Sequence, residues 1–203
     1  MMQQSGLKEA LRREGADLVG ITSCKEYFPE YTSALIIGVS ALRIYRLKRT
    51  DTVQAMNEIM DYLNISARQR LITEGFGTWG PLFSQEEFSR SLNYVPHREL
   101  ALRAGLGTIG KNFLLITPQF GPRIQLTTVL TTMPLLPDPP VSFDPCRGCT
   151  ICVDHCPTGA LNDIFHQELC TKCYRCVLSC PVGEDFQEIQ PYVQTLPGMW
   201  TSR

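Results

Sequence analysis

Apolar residues recur along the first two thirds of the chain with periods that change from segment to segment. Residues Gly6 to Glu14 read as a helix. "ADLVGIT" then reads as a short buried strand, and "SALIIGVS" as another. Between Thr52 and Gly75, Val53, Met56, Ile59, Met60, Leu63, Ala67 and Leu71 lie three or four positions apart, which gathers them on one face of a long helix. Asp51 or Thr52 suits its start and Gly75 its end. "GFGTWGPLF" is too rich in glycine for a regular element and reads as a loop. "HRELALRAG" predicts a short helix ending at Gly105. "FLLITP" and "RIQLTTVLTT" read as two strands joined by the turn-like "QFGP". Helices and strands mixed in this order predict an α+β fold: a mixed α/β layer domain, with a different module behind it.

That module is announced by composition. Eight of the nine cysteines fall between positions 146 and 180, and the preceding "TTMPLLPDPPVSFDP" holds five prolines. Proline lacks a backbone N–H and fixes φ, so this stretch reads as an extended connector. The expected division is residues 1–135 for an α/β cofactor-binding domain. Residues 136–203 form the cysteine module and a short tail.

With 203 residues and an apolar fraction of 43%, the chain can build a real core. Its formal net charge of −1 gives it no general electrostatic claim on nucleic acid. Arg43, Arg46, Lys48 and Arg49 make a local basic cluster that reads as a solvated loop face. No targeting segment and no apolar run of membrane-spanning length is visible, so the expected location is the cytoplasm. In a reducing cytosol, clustered cysteines are metal ligands rather than disulfides. Cys24, alone in "ITSCKEY", reads as a small buried apolar residue.

"CRGCTICVDHCP" and "CTKCYRCVLSCP" share the form C-x2-C-x2-C-x3-C-P, the bacterial two-cluster ferredoxin pattern. Three closely spaced thiolates cap one face of a cubane, and the fourth reaches the partner cluster. This assigns one 4Fe–4S cluster to Cys146, Cys149, Cys152 and Cys180, and the other to Cys170, Cys173, Cys176 and Cys156. Structural zinc wants two separated ligand pairs around a tetrahedron, which two four-cysteine runs do not offer. Clusters serving only as staples are the bland alternative, but one would suffice for that, whereas two adjacent cubanes form a relay. His155 and His166 lie in or beside this module and read as hydrogen-bonding or solvent-facing groups, since eight thiolates complete both cubanes.

"AGLGTIGKN" resembles two nucleotide loops: Gly105, Gly107 and Gly110 match G-x-G-x-x-G, and Lys111 completes much of a phosphate-binding loop. Both loops need a strand before and a helix after, and here that order is reversed. The glycines instead let the backbone bend sharply or approach something flat and large.

"HRELALRAGLGTIGKNFLLITPQFGPRIQLTTVLTT", the proline-rich link and the twin cysteine runs together resemble the epoxyqueuosine reductase and reductive dehalogenase group. The likeness implies a corrinoid (cobalamin) held against the glycine-loop domain and reduced by electrons from the two clusters. It implies that Arg98, Gly105, Gly107, Gly110, Lys111 and Asn112 lie near that cofactor. Departures from the group are specific. Ser91 stands where tRNA-modifying members carry a proton-supplying aspartate, and a serine is a poor proton donor at neutral pH. Thr108 replaces an aromatic residue of the loop, and the chain ends at Arg203 without a tRNA-handling domain. His97 offers a replacement proton source, because histidine titrates near neutrality. Its alternative is a helix-start histidine with ordinary hydrogen bonds.

The leading expectation is an iron–sulfur oxidoreductase. Two 4Fe–4S clusters feed a corrinoid or similar cofactor, which reduces a small substrate or is itself the species reduced. Its electron donor would be a ferredoxin or flavodoxin, and nucleic acid and membrane are not expected partners. The alternative is a non-catalytic electron carrier docking to a larger redox enzyme. A redox sensor is a third reading, for which no DNA-binding helix pair stands out.

Overall fold

A strand buried on both faces needs apolar or small residues at every position, and "SALIIGVS" supplies them. Ser33–Ser40 (β2) is buried throughout its eight residues. The computed structural model describes residues 4–46, 52–83, 95–184 and 186–189. They divide into two compact units, each gathered from separated stretches: 1–39, 54–106 and 125–141 in the first, 40–53, 107–124 and 142–203 in the second.

The first unit is built on a four-stranded sheet in the order β1–β2–β6–β3. Leu18–Ser23 (β1) runs antiparallel to β2, with Leu18 opposite Gly38 and Ser23 opposite Ser33. The edge strand β3 is only Thr78–Trp79, paired with Leu130 and Thr131 of Ile124–Thr131 (β6). Thus part of "GFGTWGPLF", expected to be loop throughout, closes the sheet. The helix Gln4–Arg13 (α1) packs on β1, as does His97–Arg103, here α4. In chain order the long helix Thr52–Thr73 (α3) follows Ala41–Arg46 (α2), which belongs to the second unit, and precedes α4. Of its expected apolar stripe, Met56, Met60, Leu63, Ala67 and Leu71 are buried. Each full side-chain burial of this kind contributes about 1.5–3 kcal/mol.

The unit's helices end alike. Gly75 has φ +89°, Gly75 N–H donates to Ile72 and Phe76 N–H to Leu71. Gly105, at φ +67°, repeats this pair with Leu102 and Ala101. Both are Schellman closures, whose left-handed residue favours glycine. Cys24 is fully buried, and desolvation pushes its thiol up to about 11. The proline-rich connector is tied to β1 through Asp138, whose N–H donates to the Ile21 carbonyl while its carboxylate accepts from Ile21 N–H at 2.7 Å and from Lys8 at 2.6 Å.

In the second unit Thr108–Ile109 (β4) and Leu115–Ile116 (β5) form their own two-stranded sheet. "FLLITP" and "RIQLTTVLTT" both supply strands as expected, but into different sheets: β5 turns back on β4, and β6 joins the other sheet. Local chemistry makes the turn. Asn112 Oδ1 accepts from Leu114 N–H at 3.1 Å, and Phe113 adopts φ +59°. "QFGP" does form a turn, closed by Thr117 and Gly121 hydrogen-bonding each other's backbones. The cysteine-rich part has short helical turns at Ile151–Asp154 (α5) and Arg175–Leu178 (α6), which pack together, and a 3-10 turn at Gln167–Leu169. Phe186–Ile189 (α7) follows.

Arg43 belongs to the helix α2 rather than to a loop. Lys48, Arg49, Asp51 and Ser91 lie outside the described residues. Among the described residues no helix is long and apolar enough to cross a membrane.

Candidate functional site

The two cysteine runs share two local features, although Tyr174 is left-handed (φ +56°) where its counterpart Thr150 is not (φ −128°). The third cysteine of each, Cys152 and Cys176, sits on a short helical turn, α5 or α6. Between the first and second cysteines the chain turns left-handed: Gly148 has φ +73° and its counterpart Lys172 φ +54°. Such a turn folds a C-x2-C segment back on itself so that its thiols share one side.

Two thiols are raised by burial and then by neighbouring thiols. Cys152 is raised by desolvation and then by the charges of Cys180, Cys146 and Cys149. Cys176 is pushed up to about 12 by desolvation and then by Cys152, Cys173, Cys170 and Cys156. Cys152 thus lies near Cys180, Cys146 and Cys149, and Cys176 near Cys173, Cys170 and Cys156 but foremost near Cys152 of the other run. Among the described residues no three His, Cys, Asp or Glu groups converge tightly enough for a single metal ion. A raised thiol pKa means the bare fold prefers neutral thiols, so a cationic cluster must displace protons to bind.

The surroundings of the two crossing cysteines differ. Cys180 is buried, whereas the other seven of the module are half-buried. Desolvation raises its thiol, while the Val182 N–H and the Arg123 charge pull it down. Arg123 is 0% exposed, and its guanidinium donates to the carbonyls of Cys180 at 2.9 Å and Val182 at 2.5 Å. Around Cys156, desolvation also pushes upward, but the N–H and hydroxyl of Thr158 and the N–H groups of Ala160 and Leu161 leave the thiol below its ordinary value. Sequence reasoning had noted Arg123 only as the first residue of a strand. Its signal was a lone cation between "FGP" and the uncharged β6.

His155 Nδ1 lies 2.8 Å from the Ile151 carbonyl, and His166 Nδ1 3.1 Å from Glu168 Oε1, so both are surface hydrogen-bonding groups.

The residues implied as corrinoid neighbours are largely engaged by the chain itself. A Cβ at Gly105 would stand 2.1 Å from the Pro139 carbonyl oxygen, and one at Gly107 2.2 Å from that of Ile116. A Cβ at Gly110 would meet the Ile116 side chain at 2.5 Å. Close approach to backbone carbonyls accounts for Gly105 and Gly107, and contact with the Ile116 side chain for Gly110. Lys111 Nζ donates to the Cys149 carbonyl at 2.7 Å, and Asn112 serves the β4–β5 turn. Arg98 is exposed on α4. His97 is buried, its Nδ1 2.7 Å from Thr128 Oγ1 and its Nε2 without a hydrogen-bond partner. Desolvation lowers it to about 4, so it is neutral at pH 7 and supplies no imidazolium proton there.

Residues 139–162 and 164–183 match the 4Fe–4S binding domain family, a span that includes all eight clustered cysteines. Over 64 residues the chain is 50% identical to an epoxyqueuosine reductase of Bacillus cereus, 32% of this chain and 17% of that protein. Over 66 residues it is 42% identical to a tetrachloroethene reductive dehalogenase of Sulfurospirillum multivorans, 31% of this chain and 13% of that one. A solved reductive dehalogenase, studied for the mechanism of B12-dependent dehalogenation, matches 95% of this chain and 34% of its own with a TM-score of 0.69 at 20% identity, a likeness of fold. The chain thus spans a minor part of the length of these relatives. It carries a 4Fe–4S domain, and its homologues are the iron–sulfur reductases of the epoxyqueuosine reductase and reductive dehalogenase group.

Proposed function

We propose that this chain is an iron–sulfur oxidoreductase that passes electrons through two 4Fe–4S clusters to an acceptor cofactor, a corrinoid. Cys146, Cys149, Cys152 and Cys180 hold one cluster, and Cys170, Cys173, Cys176 and Cys156 the other. The observation that carries this reading is the match of residues 139–162 and 164–183, which include all eight clustered cysteines, to the 4Fe–4S binding domain family. The clusters supply one-electron transfer at low potential. The protein's own part is to hold the thiolates against their repulsion and to compensate their charge with Arg123, with Lys111 and with backbone N–H groups.

The corrinoid rests on the B12-dependent dehalogenase alone. Gly105, Gly107, Gly110, Lys111 and Asn112 are engaged by contacts within the chain. The same observation favours a second reading, an electron carrier that docks to a larger redox enzyme.

Anaerobic reconstitution with iron and sulfide tests the first part: two full clusters per chain are expected, and zinc or far less iron defeats it. Titration with cob(II)alamin, followed by optical and EPR spectra, separates the readings. Altered corrinoid spectra support the reductase. Spectra identical to free cobalamin leave only the carrier.

A further inference from the structure

The twin cysteine runs are near copies, yet one receives a cation from outside the module. Arg123 comes from the connection between β5 and β6. It is fully buried against the segment that carries Cys180. Its Nη1 donates to the carbonyls of Cys180 at 2.9 Å and Val177 at 3.4 Å, and its Nη2 to that of Val182 at 2.5 Å. The ring of Phe186 lies 5.6 Å from the guanidinium carbon. The turn bearing Arg123 is pressed on the same segment. Glu184 N–H donates to the Gln119 carbonyl at 2.8 Å, and a Cβ at Gly121 would stand 2.1 Å from the Val182 oxygen. One side chain therefore holds three carbonyls that bracket a single crossing cysteine. The other crossing cysteine, Cys156, has backbone N–H groups and a threonine hydroxyl about it instead.

We infer that Arg123 is a positioning residue that raises the reduction potential of the cluster held by Cys146, Cys149, Cys152 and Cys180 above that of its neighbour. The inference rests on the cluster reading above. A cluster that accepts one electron gains one negative charge and takes no proton in this step. A fixed cation close behind a ligand stabilises that more negative state, and burial keeps water from screening it. A guanidinium stays charged at every working pH, so the bias is permanent. Local charge, hydrogen bonding and solvent exposure are the levers by which a protein sets such potentials. Arg123 applies the charge lever at the Cys180 cluster; burial of Cys180 by itself disfavours added negative charge, and the buried cation offsets it. Electrons arriving singly from a reduced low-potential flavin or iron–sulfur protein would come to rest there before passing to the acceptor.

The test is an EPR-monitored redox titration of the reconstituted full chain. The change Cys180→Ser marks which signal belongs to the Cys180 cluster. In Arg123→Gln the potential of that cluster is expected to fall while the other stays in place. Full iron content with both potentials unmoved, or moved equally, overturns the assignment and leaves the cluster reading intact. Wild-type protein without two clusters overturns both. If Arg123→Gln does not fold, Arg123→Lys takes its place. A lysine cannot span three carbonyls, so the same single potential is expected to fall by less, and no selective shift again overturns the inference.

Discussion

Gly148 and Lys172 occupy the same place in the two cysteine runs, and both adopt a left-handed backbone, φ +73° and +54°. The turn between the first two ligands demands that conformation. One run meets the demand with glycine, and the other strains a lysine into it.

Substitution separates the two solutions. A Cβ at Gly148 meets nothing within 4 Å, so Gly148→Ala is expected to cost only the conformational term, about 1–2 kcal/mol. Lys172→Gly is expected to gain up to about 1 kcal/mol, because relief of strain is partly offset by a more flexible unfolded chain. Thermal unfolding of the loaded protein checks both, with the midpoint falling for the first and rising for the second.

Gly107 is a different kind of glycine. An added Cβ would sit 2.2 Å from the Ile116 carbonyl oxygen and 2.8 Å from its carbon, and neither is a flexible side-chain end. Gly107→Ala is expected to destabilise by about 3 kcal/mol or more, as severe overpacking does. Urea unfolding measures it. A loss below about 1 kcal/mol would show that the β4–β5 hairpin yields easily.

His97 ties stability to pH. Its folded value is about 4 against an ordinary 6.5, so the unfolded chain binds its proton more readily. The contribution is complete above about 6.5 and is lost as pH falls towards 4, reaching roughly 3 kcal/mol. Denaturant midpoints at pH 7 and pH 4.5 are expected to differ more in the wild type than in His97→Gln. Equal differences would refute the buried neutral imidazole.

Cys176 tests the independence of the two clusters. Cys176→Ala removes one ligand of the Cys170 group and is expected to cost that cluster while sparing the other, so iron per chain falls by about half. Loss of all the iron would mean that the clusters assemble only as a pair. Loading also displaces protons from thiols held above their ordinary range, so proton release into a weakly buffered solution should accompany it.

Much of this chain was legible from its letters because the relevant physics is local. The spacing of Met56, Met60, Leu63, Ala67 and Leu71 defines a helix face whatever it packs on. Gly75 and Gly105 mark helix ends because the left-handed closure needs no distant partner. Ligand spacing within "CRGCTIC" is likewise a property of a few bonds, and the eight thiols lie within the stretches that match the 4Fe–4S binding domain family. The tertiary fold decided what depends on residues far apart in the chain. It sent β5 back to β4 instead of to β6, because hairpin pairing is set by turn chemistry at Asn112 and Phe113. It filled the space beside Gly105 and Gly107 with the carbonyls of Pro139 and Ile116, which no local pattern announces. It neutralised His97 by burial. It also carried Arg123 across more than fifty residues of sequence to the Cys180 carbonyl. Desolvation and long-range charge are sums over neighbours, and only the folded chain determines who the neighbours are.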